Sequence, residues 1–247
     1  MTLYMIGLGL GDEKDISLKG LEIVRSCDYI YLESYTSKLD VSVKKLEALY
    51  GKKIMIADRS LVENDAEKTI LKNALASKVA FLVIGDVFSA TTHTDLKLRA
   101  LELGIKVEVI HNASILTAIG VTGLELYKFG KVTSIPFLND DVRTPLEVLE
   151  KNKSIGLHTL MLLDLHPLEN KFMNVHSAFE YLLKFKNKLF NEETLVVVCC
   201  ALGMEEQKIK FGKVKDLIKI KFDSYPQCLI VPGELHFMEE DSLKTFK

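Results

Sequence analysis

Residues 79–93 read Val-Ala-Phe-Leu-Val-Ile-Gly-Asp-Val-Phe-Ser-Ala-Thr-Thr-His. The run at 79–84 is apolar without alternation. A strand with that pattern is buried on both faces, so its sheet needs a cover on each side. Gly85 breaks the run and Asp86 follows directly. Thr92, with Asp95 three residues on, predicts a capping box. The helix it starts would carry Leu96, Leu98, Leu101 and Leu103 and stop at Gly104. Ligands of open α/β sheets bind beyond the carboxyl ends of the strands. Asp86 is therefore the first candidate for ligand contact. The same residues also serve as a plain turn-former and a plain cap.

The rest of the chain repeats this alternation. Strands are expected at 3–8, 29–32, 53–56 and 107–110. Helices are expected at 18–24 with Ser17 as cap, at 41–50 closed by Gly51, and from a cap at Asn64 or Asp65 to Ala76. Strand–helix alternation predicts an α/β fold with a mostly parallel N-terminal sheet. The stretch His-Asn-Ala-Ser at 111–114 is a turn-rich join followed by a helix over 115–121. It divides the chain into residues 1–111 and 112–247. The second half carries strands at 131–135, 157–165, 195–200, 208–211 and 228–231. Helices are expected there at 145–150, 175–185 and 214–218. Its hairpin-like spacing late in the chain predicts a mixed sheet.

A net charge of −2 and a pI of about 6.3 argue against general affinity for nucleic acid or anionic membrane. No apolar stretch approaches the ~20 residues of a membrane span, and the N-terminus lacks the basic flank of a signal peptide. Cys27, Cys199, Cys200 and Cys228 show no CxxC spacing, and no HxxxH or HExxH pair exists. The expectation is reduced, mostly buried thiols, no metal, and a cytoplasmic protein.

Gly-Leu-Gly-Leu-Gly-Asp at 7–12 follows the first strand. A dinucleotide fingerprint wants G-x-G-x-x-G running into a helix. Here the third glycine comes one place early and Asp12 takes the final position, where a carboxylate would oppose a pyrophosphate. A turn shaped for a neutral or zwitterionic ligand fits better, and a structural turn is the other reading.

Several stretches resemble the diphthine synthases, methyltransferases of the tetrapyrrole-methylase fold. They are Tyr-Met-Ile-Gly-Leu-Gly-Leu-Gly-Asp at 4–12, Asp-Ile-Ser-Leu-Lys-Gly-Leu-Glu at 15–22, and Glu-Ser-Tyr-Thr-Ser at 33–37. Others are Gly85-Asp86, Ala-Thr-Thr-His at 90–93, Val-Ile-His-Asn-Ala-Ser-Ile at 109–115, and Gly-Leu-Glu-Leu-Tyr-Lys-Phe-Gly at 123–130. The series closes with Leu-His-Thr-Leu at 157–160, Thr-Leu-Val-Val-Val at 194–198 and Leu-Ile-Val-Pro-Gly at 229–233. The set runs in order over nearly the whole chain. Ala-Thr-Thr-His and Tyr-Lys-Phe-Gly separate these enzymes from cobalamin and siroheme methylases of the same fold.

The resemblance implies a homodimer of two α/β domains with S-adenosylmethionine folded in the cleft between them and S-adenosylhomocysteine as product. Its cofactor positions fall on Leu10, Asp86, Ser89, Ser114, Ile115, Leu163, Leu202 and Gln227. Many relatives have an apolar residue at Ser89, which implies a backbone contact, and His at Gln227. On residue type alone, Leu10, Ile115, Leu163 and Leu202 read as core and Ser114 as a helix cap. The implied substrate is an amino-carboxypropyl arm on a histidine of translation elongation factor 2, in diphthamide biosynthesis. Its amine is the nucleophile, and eukaryotic members also esterify its carboxylate. An α-amino group of pKa about 7.7–8.0 needs no dedicated strong base.

His93, His111 and His158 lie in the family-like stretches and suit structural or substrate-positioning roles. Asp164 reads as a turn residue, with substrate contact as the other reading. The loops 35–38 and 127–129 are candidates for contact with the protein substrate or for ordinary packing. Rival readings are a tetrapyrrole (precorrin-type) methyltransferase of the same fold, a non-catalytic protein-binding adapter, and a nucleotide-binding oxidoreductase.

Overall fold

In the computed structural model the apolar run at 79–84 supplies the middle strand of a fully parallel sheet. The structure describes residues 1–39, 41–138, 142–186 and 188–247. The chain divides into two units, one of Met1–Leu116 with Pro167–Glu169, the other of Thr117–His166 with Asn170–Lys247.

The first unit holds β1 (Thr2–Gly7), β2 (Tyr29–Glu33), β3 (Met55–Ala57), β4 (Lys78–Val83) and β5 (Lys106–Ile110) in the order β3-β2-β4-β1-β5. All pairings are parallel. Successive residues of β4 serve opposite cores, which is why the run cannot alternate. Phe81 and Val83 pack with Leu3, Met5, Leu96 and Ala100; Ala80 and Leu82 pack with Ile6, Val24, Ile30 and Leu46.

The covering helices are α1 (Leu18–Ser26), α2 (Val43–Tyr50), α3 (Arg59–Glu63), α4 (Ile70–Ala74) and α5 (Thr94–Glu102). Ser17 caps α1 by accepting from the Gly20 amide at 3.1 Å. Gly51 ends α2 with φ +70°. Two expectations fail locally. The helix expected from Asn64 or Asp65 to Ala76 is broken into a 3₁₀ turn (Ala66–Lys68) and α4, because Thr69 leaves helical geometry (φ −126°, ψ −91°). The capping box at Thr92 does not form. The α5 helix starts at Thr94 without a side-chain cap, and the Asp95 carboxylate turns instead to Arg99 at 2.7 Å, one helical turn on. Leu96 and Ala100, four apart, form the buried stripe, while Leu98, Leu101 and Leu103 stay about half exposed.

A single helical turn, α6 (Ile115–Ala118), follows β5. The second unit's sheet has the order β11-β10-β12-β7-β6. Its strands are β6 (Thr133–Ile135), β7 (Thr159–Leu163), β10 (Leu195–Cys200), β11 (Lys208–Lys213) and β12 (Gln227–Val231), with the short pair β8 (Leu165–His166) and β9 (Lys171–Phe172) apart. Only β6–β7 is parallel in the five-stranded sheet, so it is mixed as expected. Helices α7 (Thr144–Ser154), α8 (Val175–Lys184) and α9 (Val214–Leu217) accompany it, and Phe179, Leu182, Val196, Val198 and Leu229 lie in its core.

Two helices escaped sequence reading: α3 and α10 (Phe237–Lys244). The capping box of α10 uses His236 where Ser or Thr is usual, with the Glu239 carboxylate accepting from the His236 amide at 2.8 Å. All four cysteines are free and buried, Cys199 standing opposite Cys228 on neighbouring strands. Among the described residues no helix is long and apolar enough to cross a membrane.

Candidate functional site

In the first unit β1 lies between β4 and β5, so the turns leaving these strands meet at one edge of the sheet. The Leu8 amide donates to Val83 O at 2.8 Å, and Gly9 and Gly85 exchange amide donors at 3.2 and 2.7 Å. Both glycines have left-handed backbones (φ +82° and +83°), which side chains disfavour. At Gly7 the constraint is space. A Cβ there would lie 2.6 Å from Gly85 O and 2.9 Å from the Asn112 Cβ.

The Asp15 carboxylate accepts from the amides of Leu10 at 3.2 Å and Gly11 at 2.7 Å. Those are the donors a pyrophosphate would need, and an acidic side chain already occupies them. The dinucleotide reading therefore loses its chemistry as well as its spacing.

Asp86, 8% exposed, closes the arrangement. Its Oδ1 accepts from the Phe88 amide at 3.2 Å and the Ser89 hydroxyl at 3.3 Å. Its Oδ2 accepts from the Asn112 amide at 3.2 Å and faces His111 Nδ1 at 2.8 Å. Burial pushes this carboxyl up, but His111 and the two amides outweigh it and hold the group below its ordinary value. The Asn112 side chain donates to Gly7 O at 3.0 Å and Asp15 O at 2.9 Å, stitching the β5 turn to the glycine turn.

The result is a cradle over Gly85. A Cβ there would meet Leu10 Cδ2 at 3.8 Å, and Ala113 O and Ser114 Cα at 3.9 Å, all ordinary contact distances. Leu10, Asp86, Ser89 and Ser114 thus gather around one turn, with Ile115 next in the chain at the start of α6. Ser114 is buried; Leu10, Ser89 and Ile115 are half-buried.

In the second unit, Leu163, Leu202 and Gln227 share one edge of the mixed sheet. Leu162 stands opposite Cys228, and Cys200 opposite Gln227. The end of β7, the start of β12 and the turn after β10 are therefore neighbours. Leu163 and Leu202 are buried, as their residue type suggests. The Gln227 amide is engaged within its own unit. It accepts from the Val175 amide at 2.8 Å and donates to Phe222 O at 3.1 Å and Ser224 O at 3.0 Å. Asp164 holds the amides of Phe137 and Leu165, the work of a turn residue.

His93 is 1% exposed, edge-on to Phe81 and Tyr35, with Nε2 3.8 Å from Glu33 Oε2. Glu33 in turn accepts from the Tyr35 amide at 2.5 Å and the Thr36 amide at 2.7 Å, fixing the loop after β2. In the 127–129 stretch, Lys128 is paired with Glu239 and Phe129 packs edge-on to His158, while Tyr127 is 82% exposed. Sequence reading passed over Asp15 and Glu239. Asp15 stood next to the glycine turn in a family-like stretch and was legible as a partner for its amides. Glu239 lies far from its partners in sequence.

The family model for tetrapyrrole (corrin/porphyrin) methylases matches residues 2–218. The chain is 44% identical to the human diphthine methyl ester synthase, over 99% of this chain and 94% of that one. It is 41% identical to the diphthine synthase of Methanococcus aeolicus, over 98% and 96%. A crystal structure of diphthine synthase, 38% identical, superposes with a TM-score of 0.93 and covers 100% of this chain and 96% of that one.

Proposed function

We propose, for a chain that belongs to the tetrapyrrole methylase family and within it to the diphthine synthases, a methyl transfer from S-adenosylmethionine to elongation factor 2. The acceptor is the amino-carboxypropyl arm on its modified histidine, and the product is diphthine or its methyl ester. Full-length similarity to proteins of that name carries the reading. The cradle over Gly85 is compatible with it: a carboxylate, an apolar wall from Leu10, and a left-handed turn that glycine favours.

The cofactor supplies a methyl group on a sulfonium, already bonded to a good leaving group. The protein's task is then placement, which in favourable cases lowers a barrier by roughly 7–11 kcal/mol. In the first unit Asp86 offers negative charge to the donor's polar part, Leu10 covers an apolar part, and Ser89, Ser114 and Ile115 complete the contacts. In the second unit Leu163 and Leu202 contribute apolar surface. Gln227, its side-chain amide engaged elsewhere, contributes through its backbone. The assembly proposed is a cytoplasmic homodimer.

Mass spectrometry tests the reading on elongation factor 2 bearing the arm, incubated with the chain and S-adenosylmethionine. Successive methyl additions on the modified histidine are expected, and their number separates diphthine from its ester. Methylation of a precorrin instead would move the chain to tetrapyrrole chemistry. A folded chain that binds no cofactor would be an adapter.

A further inference from the structure

His111 follows β5, and its Nδ1 lies 2.8 Å from Asp86 Oδ2 on the turn after β4. The proton's position follows from the neighbours. Asp86 accepts from two amides and a hydroxyl, the pattern of an ionised carboxylate with no proton to donate. Nδ1 must carry the hydrogen, which leaves Nε2 of the neutral ring with a lone pair. The His111 side chain is 72% exposed and that of Asp86 10%. A sheltered carboxylate thus orients an imidazole whose accepting nitrogen is accessible. The turn does not need this contact, because Asn112 already ties β5 to Gly7 and Asp15. A carboxylate that fixes the tautomer of a reachable imidazole is the arrangement of a proton acceptor.

We propose that His111 Nε2 takes the proton from the ammonium form of the arm's amine, with Asp86 as its positioning residue. The inference rests on the methyl-transfer reading above. With a pKa of about 7.7–8.0, most of an α-amino group is ammonium near neutrality and has no lone pair. The N–H bond breaks, its electron pair stays on nitrogen, and the proton passes to Nε2. The imidazolium faces the Asp86 charge and returns the proton to water from its exposed side. The freed pair forms the nitrogen–methyl bond as the methyl–sulfur bond breaks with its pair to sulfur. Esterification of the arm's carboxylate releases no proton and makes no use of His111. The charged groups tied to the β5 turn are Asp86 and, through Asn112, Asp15.

Two readouts test the assignment. Nitrogen NMR of the wild-type chain should show the neutral His111 ring with its hydrogen on Nδ1 and Nε2 bare. His111→Asn keeps a donor for Asp86 but accepts no proton. It should bind S-adenosylmethionine in calorimetry like the wild type and slow the first methyl transfer by up to about tenfold at pH 7, the reciprocal of the amine fraction that is neutral unaided there. The deficit should close by about pH 9.5, where the amine is neutral unaided. Added imidazole should partly rescue His111→Ala. An Nε2–H tautomer, an unchanged rate at pH 7, or a deficit constant across pH overturns the proposal. A wild-type chain that moves no methyl to the arm refutes the functional reading instead and takes this step with it.

Discussion

His158 donates its Nε2 hydrogen to Glu239 Oε1 across 2.9 Å, joining the start of β7 to α10. The assignment is fixed because His158 Nδ1 accepts from the Gly233 amide at 2.9 Å. Glu239, fully buried, also takes the amides of Glu125 and His236 and the Lys128 ammonium.

That staple predicts acid sensitivity of the second unit. Burial pushes the Glu239 carboxyl up, but its donors bring it down to about 2. Burial holds His158 below its ordinary value. The signs agree. Stability from a lowered carboxyl is present above the unfolded value and lost as pH falls through the folded one. A histidine kept neutral in the fold also loses stability once the unfolded chain protonates, below about pH 6.5. Glu239 alone is worth about 3 kcal/mol between neutral pH and about pH 2. Urea unfolding over that range should show the loss, and Glu239→Gln should flatten it while lowering stability at neutral pH. Equal pH slopes in the two proteins would contradict the argument.

Gly7→Ala should damage the first unit although its backbone is not left-handed. The added methyl group meets a carbonyl oxygen and the Asn112 side chain, both held by hydrogen bonds. Overpacking of this kind costs about 1–3 kcal/mol. Denaturant midpoints measure it, and a drop in cofactor affinity should accompany it. A variant as stable as the wild type would show that the turns are not locked together.

Much of this was legible in advance because single residues dictated it. The unbroken run at 79–84 required two cores, and Gly85 before Asp86 required a turn at the strand's end. The Thr92 box was misread because Asp95 had a better partner, Arg99, on its own helix. Helix α10 was missed because histidine is a rare cap and its box partner Glu239 finds its other ligands far along the chain. The bridge from Asp86 to His111 spans separate strands, so only the order β4-β1-β5 brings the pair together.

Asp86→Asn should cost more than one hydrogen bond. The amide keeps one accepting oxygen and turns an NH₂ toward donors already in place. Hydrogen bonds to charged groups contribute about 1.5–3 kcal/mol each, so a loss of roughly 2–4 kcal/mol in stability is expected. Calorimetry should also find S-adenosylmethionine binding abolished. A variant with wild-type affinity would remove Asp86 from the cofactor site.

Leu10→Arg and Gln227→Ala should fail in opposite ways. The Leu10 side chain is half-buried and lies beside Gly85, and its amide, not its side chain, is what Asp15 holds. An arginine there can leave the fold intact, yet it fills the cradle and brings positive charge toward a sulfonium. Loss of S-adenosylmethionine binding with an unchanged urea midpoint is the expected result. Gln227 is 5% exposed and satisfies the Val175 amide, one of the orphan donors at the start of α8. Truncating it strands that donor and two carbonyls, which costs about 1–3 kcal/mol per unsatisfied group. The cofactor contact proposed for its backbone should survive wherever the chain remains folded. If instead Gln227→Ala weakened binding at full stability, the side chain would be a cofactor ligand. The hydrogen bonds to Val175, Phe222 and Ser224 would then have to give way when the cofactor binds.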